Sequence, residues 1–165
     1  MAVASNGDVY VADYGNAKVK KVAGGSGPVT DIASVGSGGM FLASNGDLYV
    51  SSGSEVKRFA SPSGPLATFA TGMSYALGLS VASNGDVYVA DFSSRDIWKV
   101  SGGVTSVFSS GFARPYDAAV ASNGDVYVAD YGANELKRVP AGGGAATTIA
   151  SVSTPFGLWV KSSAC

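Results

Sequence analysis

Three aspartates occupy the same place in a repeated motif and are the residues that could most readily bind an ion. Asp13, Asp91 and Asp130 each end the sequence Val-Tyr-Val-Ala-Asp, which is typical of a β-strand. Carboxylate oxygens are calcium ligands, so the three are weak candidates for a metal site. However, the remaining copy carries Ser52 at this place, and aspartates at strand ends commonly accept hydrogen bonds from their own loops. We favour the loop interpretation and expect neither a metal nor another cofactor.

The residues after these strand ends could bind a ligand. Tyr14, Phe92 and Tyr131 directly follow the three aspartates. Aromatics beside mixed charges are common in binding surfaces, but aromatics at equivalent repeat positions also pack between repeats, and both interpretations stay open. The predicted ligand-binding residues are Tyr14, Asn16, Tyr75, Phe92, Arg95, Arg114, Tyr116, Asp117, Tyr131 and Asn134, with Phe156 at the end of the same surface.

Composition argues against several classes of function. The 165 residues include no histidine and carry a net charge of −1, which disfavours imidazole catalysis and a basic nucleic-acid surface. The sequence also lacks a long apolar run of the kind that spans a bilayer. We therefore predict that the chain is not an enzyme, does not bind nucleic acid and does not insert into a membrane. Its localisation is unknown, although low charge and abundant glycine and serine favour an extracellular or cell-surface setting.

A tandem repeat organises these residues. Ser-Asn-Gly-Asp begins at Ser5, Ser44, Ser83 and Ser122, a constant spacing of 39 residues, and this regularity marks a repeat architecture. Asn-Gly between two β-rich runs predicts a hairpin with a type I′ turn. The third repeat predicts strands over 79–82, 86–90, 96–100 and 104–108. Four short strands per repeat indicate a β-propeller blade.

The motifs resemble the NHL-repeat family over essentially the whole chain. The third repeat shows Leu77-Gly78-Leu79, then Gly85-Asp86-Val87-Tyr88-Val89-Ala90-Asp91, then Ile97-Trp98-Lys99-Val100. Departures are Ser52 and a shorter loop in the second repeat, and Asp117 in place of the glycine in the fourth. The resemblance implies an all-β propeller with four-stranded blades over about 1–39, 40–78, 79–117 and 118–157, and the start of a fifth at 158–165.

Charges near the Asn-Gly turns suggest a structural device. Pairing Asp8 with Lys21 across the hairpin places opposite charges together, and every repeat has such a pair. In the second repeat Asp47 and Arg58 are two residues closer in sequence than their counterparts. An even change keeps every side chain on its original face, so the hairpin should survive.

The predicted function is that of a binding scaffold. The Asn-Gly turns barely vary between repeats. On the opposite face lie the loops between the second and third strands of each blade, which we call second-to-third loops, and the segments that join consecutive blades, which we call crossings; both vary. The face that carries these variable segments should bind a protein or glycan ligand. One alternative is a structural element of an extracellular or cell-surface assembly. Another is a histidine-independent lyase or hydrolase of the six-bladed propeller type.

The number of innermost strands is compatible with two arrangements of the ring. Met1, Met40, Leu79, Ala118 and Leu158 begin five copies of the innermost strand, one more than a closed four-bladed ring accommodates. We predict a strand over 158–161 and a segment of a larger ring, of about six blades; the alternative is a small closed four-bladed toroid. Open blade edges imply self-association or completion by another chain.

Overall fold

Residues 1–36, 38–61 and 64–160 are described by a computed structural model. The chain forms four antiparallel sheets of four strands, each with its strands in sequence order. Blade 1 contains β1 (Ala2–Val3), β2 (Val9–Asp13), β3 (Lys18–Val22) and β4 (Val29–Ser34); blade 2 contains β5 (Met40–Leu42), β6 (Leu48–Ser52), β7 (Glu55–Phe59) and β8 (Leu66–Thr71); blade 3 contains β9 (Ala76–Val81), β10 (Val87–Asp91), β11 (Asp96–Ser101) and β12 (Val104–Ser110); blade 4 contains β13 (Pro115–Val120), β14 (Val126–Asp130), β15 (Glu135–Val139) and β16 (Thr147–Ser151). The predicted all-β architecture of four-stranded blades is confirmed.

The Asn-Gly hairpins form, but the predicted type I′ turn is wrong. The Gly85 N–H bonds the Ala82 carbonyl at 2.9 Å, and the Ala82 N–H bonds the Asp86 carbonyl at 2.8 Å. In the Asn-Gly pair, the left-handed region is taken by Gly85, at φ 87°. Asn84 instead accepts the Asp86 N–H at 3.1 Å and donates to its carboxylate at 3.0 Å. This is the three-residue hairpin that ends in a bulge glycine, and the asparagine side chain favours it.

The predicted ion pairs form, in a register shifted by two residues. The Lys21 amine lies 2.7 Å from the Asp8 carboxylate, but the residue directly opposite Lys21 is Tyr10. The long lysine side chain therefore reaches its partner diagonally. Hydrogen bonds from Lys21 and the Gly24 N–H lower the pKa of Asp8 to about 2. The matching pairs are Arg58 with Asp47 at 2.7 Å, Lys99 with Asp86 at 2.8 Å and Arg138 with Asp125 at 2.7 Å.

The shortened hairpin of the second repeat keeps its alternation, as predicted. Ser52 pairs with Glu55 across β6 and β7, while Asp91 pairs with Asp96 across β10 and β11. The loop is two residues shorter, so the same faces stay buried.

Each blade packs one face against the next. We call the side that carries the tyrosine of the second strand the forward face, and the opposite side the backward face. In each of the three interfaces, tyrosine and an aliphatic residue of one blade meet two aliphatic residues of the next blade. The groups are Tyr10 and Val19 with Leu48 and Val50; Tyr49 and Val56 with Val87 and Val89; and Tyr88 and Ile97 with Val126 and Val128.

The predicted fifth innermost strand is wrong for the part that the structure describes. Residues 158–160 form no strand, and Lys161 lies outside the described residues. β2 already has β1 as its neighbour on the inner side, so no position beside it is vacant. The Leu158 N–H instead donates to the Asp117 carboxylate at 2.8 Å.

Candidate functional site

Asp91 stabilises the crossing that connects blade 2 to its own blade, blade 3. Its fully buried carboxylate accepts the N–H groups of Ser74 at 2.6 Å and Tyr75 at 2.8 Å. It also accepts those of Ser93 and Ser94, both at 3.1 Å, from the loop that follows β10. Burial acts to raise the pKa of Asp91, but these N–H groups outweigh burial and the pKa is lowered. A crossing and a loop are thus held by one side chain.

Asp130 has the same role one blade later. It accepts the Ala113 N–H at 3.0 Å and the Arg114 N–H at 2.8 Å. Lys137 adds an ion pair at 2.7 Å. Burial acts to raise the pKa of Asp130, but Lys137 and the two N–H groups lower it overall.

Asp13 is the half-buried member of the set. It accepts the Asn16 N–H at 3.3 Å and the Asn16 side-chain amide at 2.9 Å, so its hydrogen bonds stay within its own loop, and the Lys20 amine lies 3.8 Å from its carboxylate. These contacts agree with the loop interpretation of the three aspartates. Within the described ranges, no three aspartate, glutamate, histidine or cysteine side chains come together as metal ligands.

Aromatic residues from three blades line a pocket on the loop face opposite the Asn-Gly turns. Its volume is about 430 Å³. Two second-to-third loops contribute Tyr14 and Phe92, whose exposures differ: Tyr14 is 66% exposed and Phe92 is half-buried. The Tyr14 hydroxyl lies 3.1 Å from that of Tyr75, and the Tyr75 and Phe92 rings meet edge to face at 6.4 Å. The full lining is Ala12, Tyr14, Gly38, Tyr75, Leu77, Phe92 and Tyr116.

A second aromatic group adjoins the pocket through Tyr116. Its ring lies 5.2 Å from Phe156 and 6.2 Å from Tyr131, and Tyr131 and Phe156 are 5.1 Å apart. The Arg114 guanidinium sits 5.5 Å from the centre of the Phe92 ring. These aromatics therefore both pack together and keep surface open to solvent.

Asp117 faces a larger cavity between the innermost strands. This central cavity has a volume of about 920 Å³ and is lined by residues of all four blades. Burial raises the pKa of Asp117 to about 6, although the N–H groups of Leu158 and Ala118 act in the opposite direction. A Cβ added to Gly78 would lie 1.9 Å from the Asp117 carboxylate, so this glycine makes room for the acid.

The remaining predicted site residues serve mainly as loop anchors. Asn134 accepts the Thr154 N–H at 3.0 Å, and Asn16 holds Asp13. Arg95 is exposed and has φ 68° at the end of its loop. Sequence reasoning missed Ala12, Gly38 and Leu77 in the pocket lining, because small and aliphatic residues carry no chemical signal. That these residues bind a ligand stays a prediction.

Comparisons with known proteins identify the fold and nothing finer. No protein-family model matches the chain, and no curated protein matches it. The resemblance to the NHL repeat is thus supported only as far as the β-propeller fold. In the described residues, no helix is long and apolar enough to cross a membrane.

Three solved structures illustrate the similarity. Virginiamycin B lyase from Staphylococcus aureus has a TM-score of 0.74 at 14% identity, covering 89% of this chain and 53% of that one. A catalytically inactive histidine-to-alanine variant of that enzyme with quinupristin gives 0.76 at 14%, covering 90% and 53%. A chain of the nidogen/laminin complex gives 0.81 at 12%, covering 92% and 64%. This chain therefore spans about half to two thirds of the length of these structures.

The prediction that the chain is not an enzyme is contradicted by these neighbours. Structures of the same fold include lyases as well as a propeller from a protein complex. The error was to treat the missing histidine as excluding catalysis, when it excludes only reactions that need imidazole. At 12–15% identity the similarity shows a shared fold, and that fold serves both kinds of function.

Proposed function

We propose that this chain is a binding scaffold that receives a protein or glycan ligand on the loop face opposite the Asn-Gly turns. The observation that carries the proposal is the pocket lined by Tyr14, Tyr75, Phe92 and Tyr116. Its volume of about 430 Å³ lies within the range of ligand sites, roughly 300–1,000 Å³. Rigid aromatic rings give large contact area at small entropic cost, which suits a binding site.

The lining favours a neutral group as the part of the ligand that enters the pocket. All of the described lining residues are uncharged. Arg114 lies against the Phe92 ring, so a second cation placed there would be repelled. The C–H face of a sugar ring or an apolar side chain would instead meet the aromatic faces, while the Tyr14 and Tyr75 hydroxyls supply hydrogen bonds at the rim.

The neighbours support binding of a partner without naming it. The nidogen/laminin structure is a complex of proteins, so a propeller of this shape is compatible with protein recognition. A structural element of an extracellular or cell-surface assembly would use the same surface for a permanent contact. The two alternatives differ in the lifetime of the complex.

A second candidate function is that of a lyase. Asp117 carries a carboxyl with a pKa of about 6 at a central cavity, which is suitable for a general base near neutral pH. Because the sequence contains no histidine, this carboxylate would have to replace the histidine on which the S. aureus neighbour depends. Incubation with quinupristin, followed by chromatography, tests this directly. Consumption by the wild type but not by Asp117→Asn would support it, and no consumption by the wild type would contradict it for this substrate.

Binding is tested with two kinds of probe. Fluorescently labelled chain is applied to an array of neutral glycans and to a phage-displayed peptide library. Each hit is then titrated against Tyr75→Ala and Phe92→Ala. We expect at least tenfold weaker binding, about 1.4 kcal/mol, because both rings contact the pocket.

Matched variants separate the pocket from general effects. Tyr75→Phe keeps the ring and loses only the hydroxyl contact with Tyr14, so it should retain most of the affinity for an apolar group. Asn45→Ala alters an Asn-Gly turn on the opposite face and should leave binding intact. Hits that bind Tyr75→Ala as well as the wild type, or that are lost in Asn45→Ala, would refute the proposed location.

A further inference from the structure

The two inner blades bury both of their faces. On their backward faces Leu48 and Val50 of blade 2, and Val87 and Val89 of blade 3, are completely buried. Their forward tyrosines are buried as well, since Tyr49 is 5% exposed and Tyr88 is 4% exposed. Burial of both faces is therefore the normal state of this repeat.

The backward face of blade 1 departs from that state. Val9, Val11 and Val22 are each half-buried. Their counterparts in blade 4, Val126, Val128 and Val139, are fully buried. The residue types are the same, so what differs is the blade that covers them.

The forward face of blade 4 is open in the same way. Tyr127 and Leu136 are half-buried, although the tyrosines at the position of Tyr127 in the first three blades are all buried. Ile149 of the outermost strand is 47% exposed, while Phe108, its counterpart in blade 3, is half-buried and packs on Tyr88 at 4.9 Å.

These two open faces are complementary, because the chain already joins such faces three times. At each inner interface a forward tyrosine and an aliphatic residue meet aliphatic residues of a backward face. We propose that a second copy of this chain binds head to tail, the forward face of blade 4 packing on the backward face of blade 1 of the other copy. The contact continues the internal blade stacking with the same residue types.

The symmetry of this contact makes it testable. A forward face meets a backward face, so each contact is head to tail, and a pair that closes about a two-fold axis makes this contact twice. Each copy carries one open face of each kind, and a closed pair would bury all four of them. A contact between two forward faces would instead leave both backward faces uncovered, so a substitution on the backward face would not disrupt it.

Light scattering coupled to size-exclusion chromatography measures the assembly. We expect the wild-type chain to have the mass of a dimer at micromolar concentration. Val11→Glu and Tyr127→Glu each place a charge on one open face, and each alone should give a monomer. Val107→Glu, on an exposed outer-strand residue away from both open faces, should remain dimeric.

Mixing the two variants gives the sharpest result. Val11→Glu keeps an intact forward face and Tyr127→Glu keeps an intact backward face, so an equimolar mixture should recover the dimer mass. A monomeric wild type, a dimer that survives either substitution, or a mixture that stays monomeric would overturn the proposal. Thermal melting confirms that each variant is folded, and Val11→Thr, which keeps the side-chain shape, replaces Val11→Glu if that variant is not.

Discussion

Asp91 and Asp13 end the same five-residue motif but should differ greatly in their effect on stability. Replacing Asp91 with alanine removes the acceptor for four N–H groups, at 2.6–3.1 Å, in a site with no exposure to solvent. Asp13 has a side chain that is 23% exposed, its hydrogen bonds reach only Asn16, and the Lys20 amine lies 3.8 Å from its carboxylate. The two aspartates therefore allow a matched comparison of a buried and a half-buried residue at the same position of the repeat.

The magnitude follows from the number of bonds lost. A hydrogen bond to a charged group contributes about 1.5–3 kcal/mol, but the four bonds share one carboxylate whose burial is itself unfavourable, so they do not add fully. We expect Asp91→Ala to lower the free energy of unfolding by about 4 kcal/mol. At about 2–4 °C per kcal/mol for a domain of this size, the melting temperature should fall by roughly 8–16 °C. Asp13→Ala should cost about 1 kcal/mol or less.

Differential scanning calorimetry and urea denaturation measure both variants. The lowered pKa of Asp91 adds a second readout. Stability from a carboxyl with a lowered pKa is present above the unfolded pKa and is lost as pH falls through the folded value, so Asp91→Ala should weaken the acid dependence of stability. Equal and small effects of the two substitutions, with an unchanged acid limb, would refute the anchoring role of Asp91.

Three further predictions concern the backbone and the central acid. Gly85→Ala should lower the free energy of unfolding by about 1–2 kcal/mol, because alanine resists a φ of 87°. Asn84→Ala should lower it by about 1 kcal/mol, because its side-chain hydrogen bonds are lost. A larger loss in Asn84→Ala than in Gly85→Ala, measured by urea denaturation, would contradict the observed turn. Ala17→Gly should raise stability by up to about 1 kcal/mol, since Ala17 has φ 50°, and a lower melting temperature would count against strain there. A carboxyl whose pKa is raised on folding lowers stability at any pH above its unfolded pKa. Asp117→Asn should therefore stabilise the chain by about 1–2 kcal/mol at pH 7 and by little at pH 4. An effect that does not change with pH would argue against the raised pKa of Asp117.

The repeat pattern predicted the blades because strand periodicity and turn chemistry are local. The constant spacing located every hairpin, and the charge pattern located the contact between Asp8 and Lys21. The predicted strand register was wrong by two residues, because a lysine side chain reaches a diagonal neighbour as readily as the residue directly opposite it. The turn type was missed because the Asn84 side chain, which bonds Asp86, decides it rather than backbone propensity.

The pocket depends on distances between blades, which sequence does not encode directly. Tyr14 and Tyr75 are 61 residues apart, yet their hydroxyls meet. Both were predicted for the same face, but no local pattern shows that they meet. The raised pKa of Asp117 likewise reflects burial by other blades, so its replacement of a repeat glycine was the only signal in the sequence.

The location of the binding surface is tested most directly by nuclear magnetic resonance. The ¹⁵N-labelled chain is titrated with a glycan or peptide recovered from the array or library, and amide shifts are mapped onto the blades. If the ligand binds the pocket, the largest shifts will cluster at the loops and crossings around Tyr14, Tyr75, Phe92 and Tyr116. Shifts centred on the Asn-Gly turns at Asn6, Asn45, Asn84 and Asn123 would contradict a binding site on the opposite face.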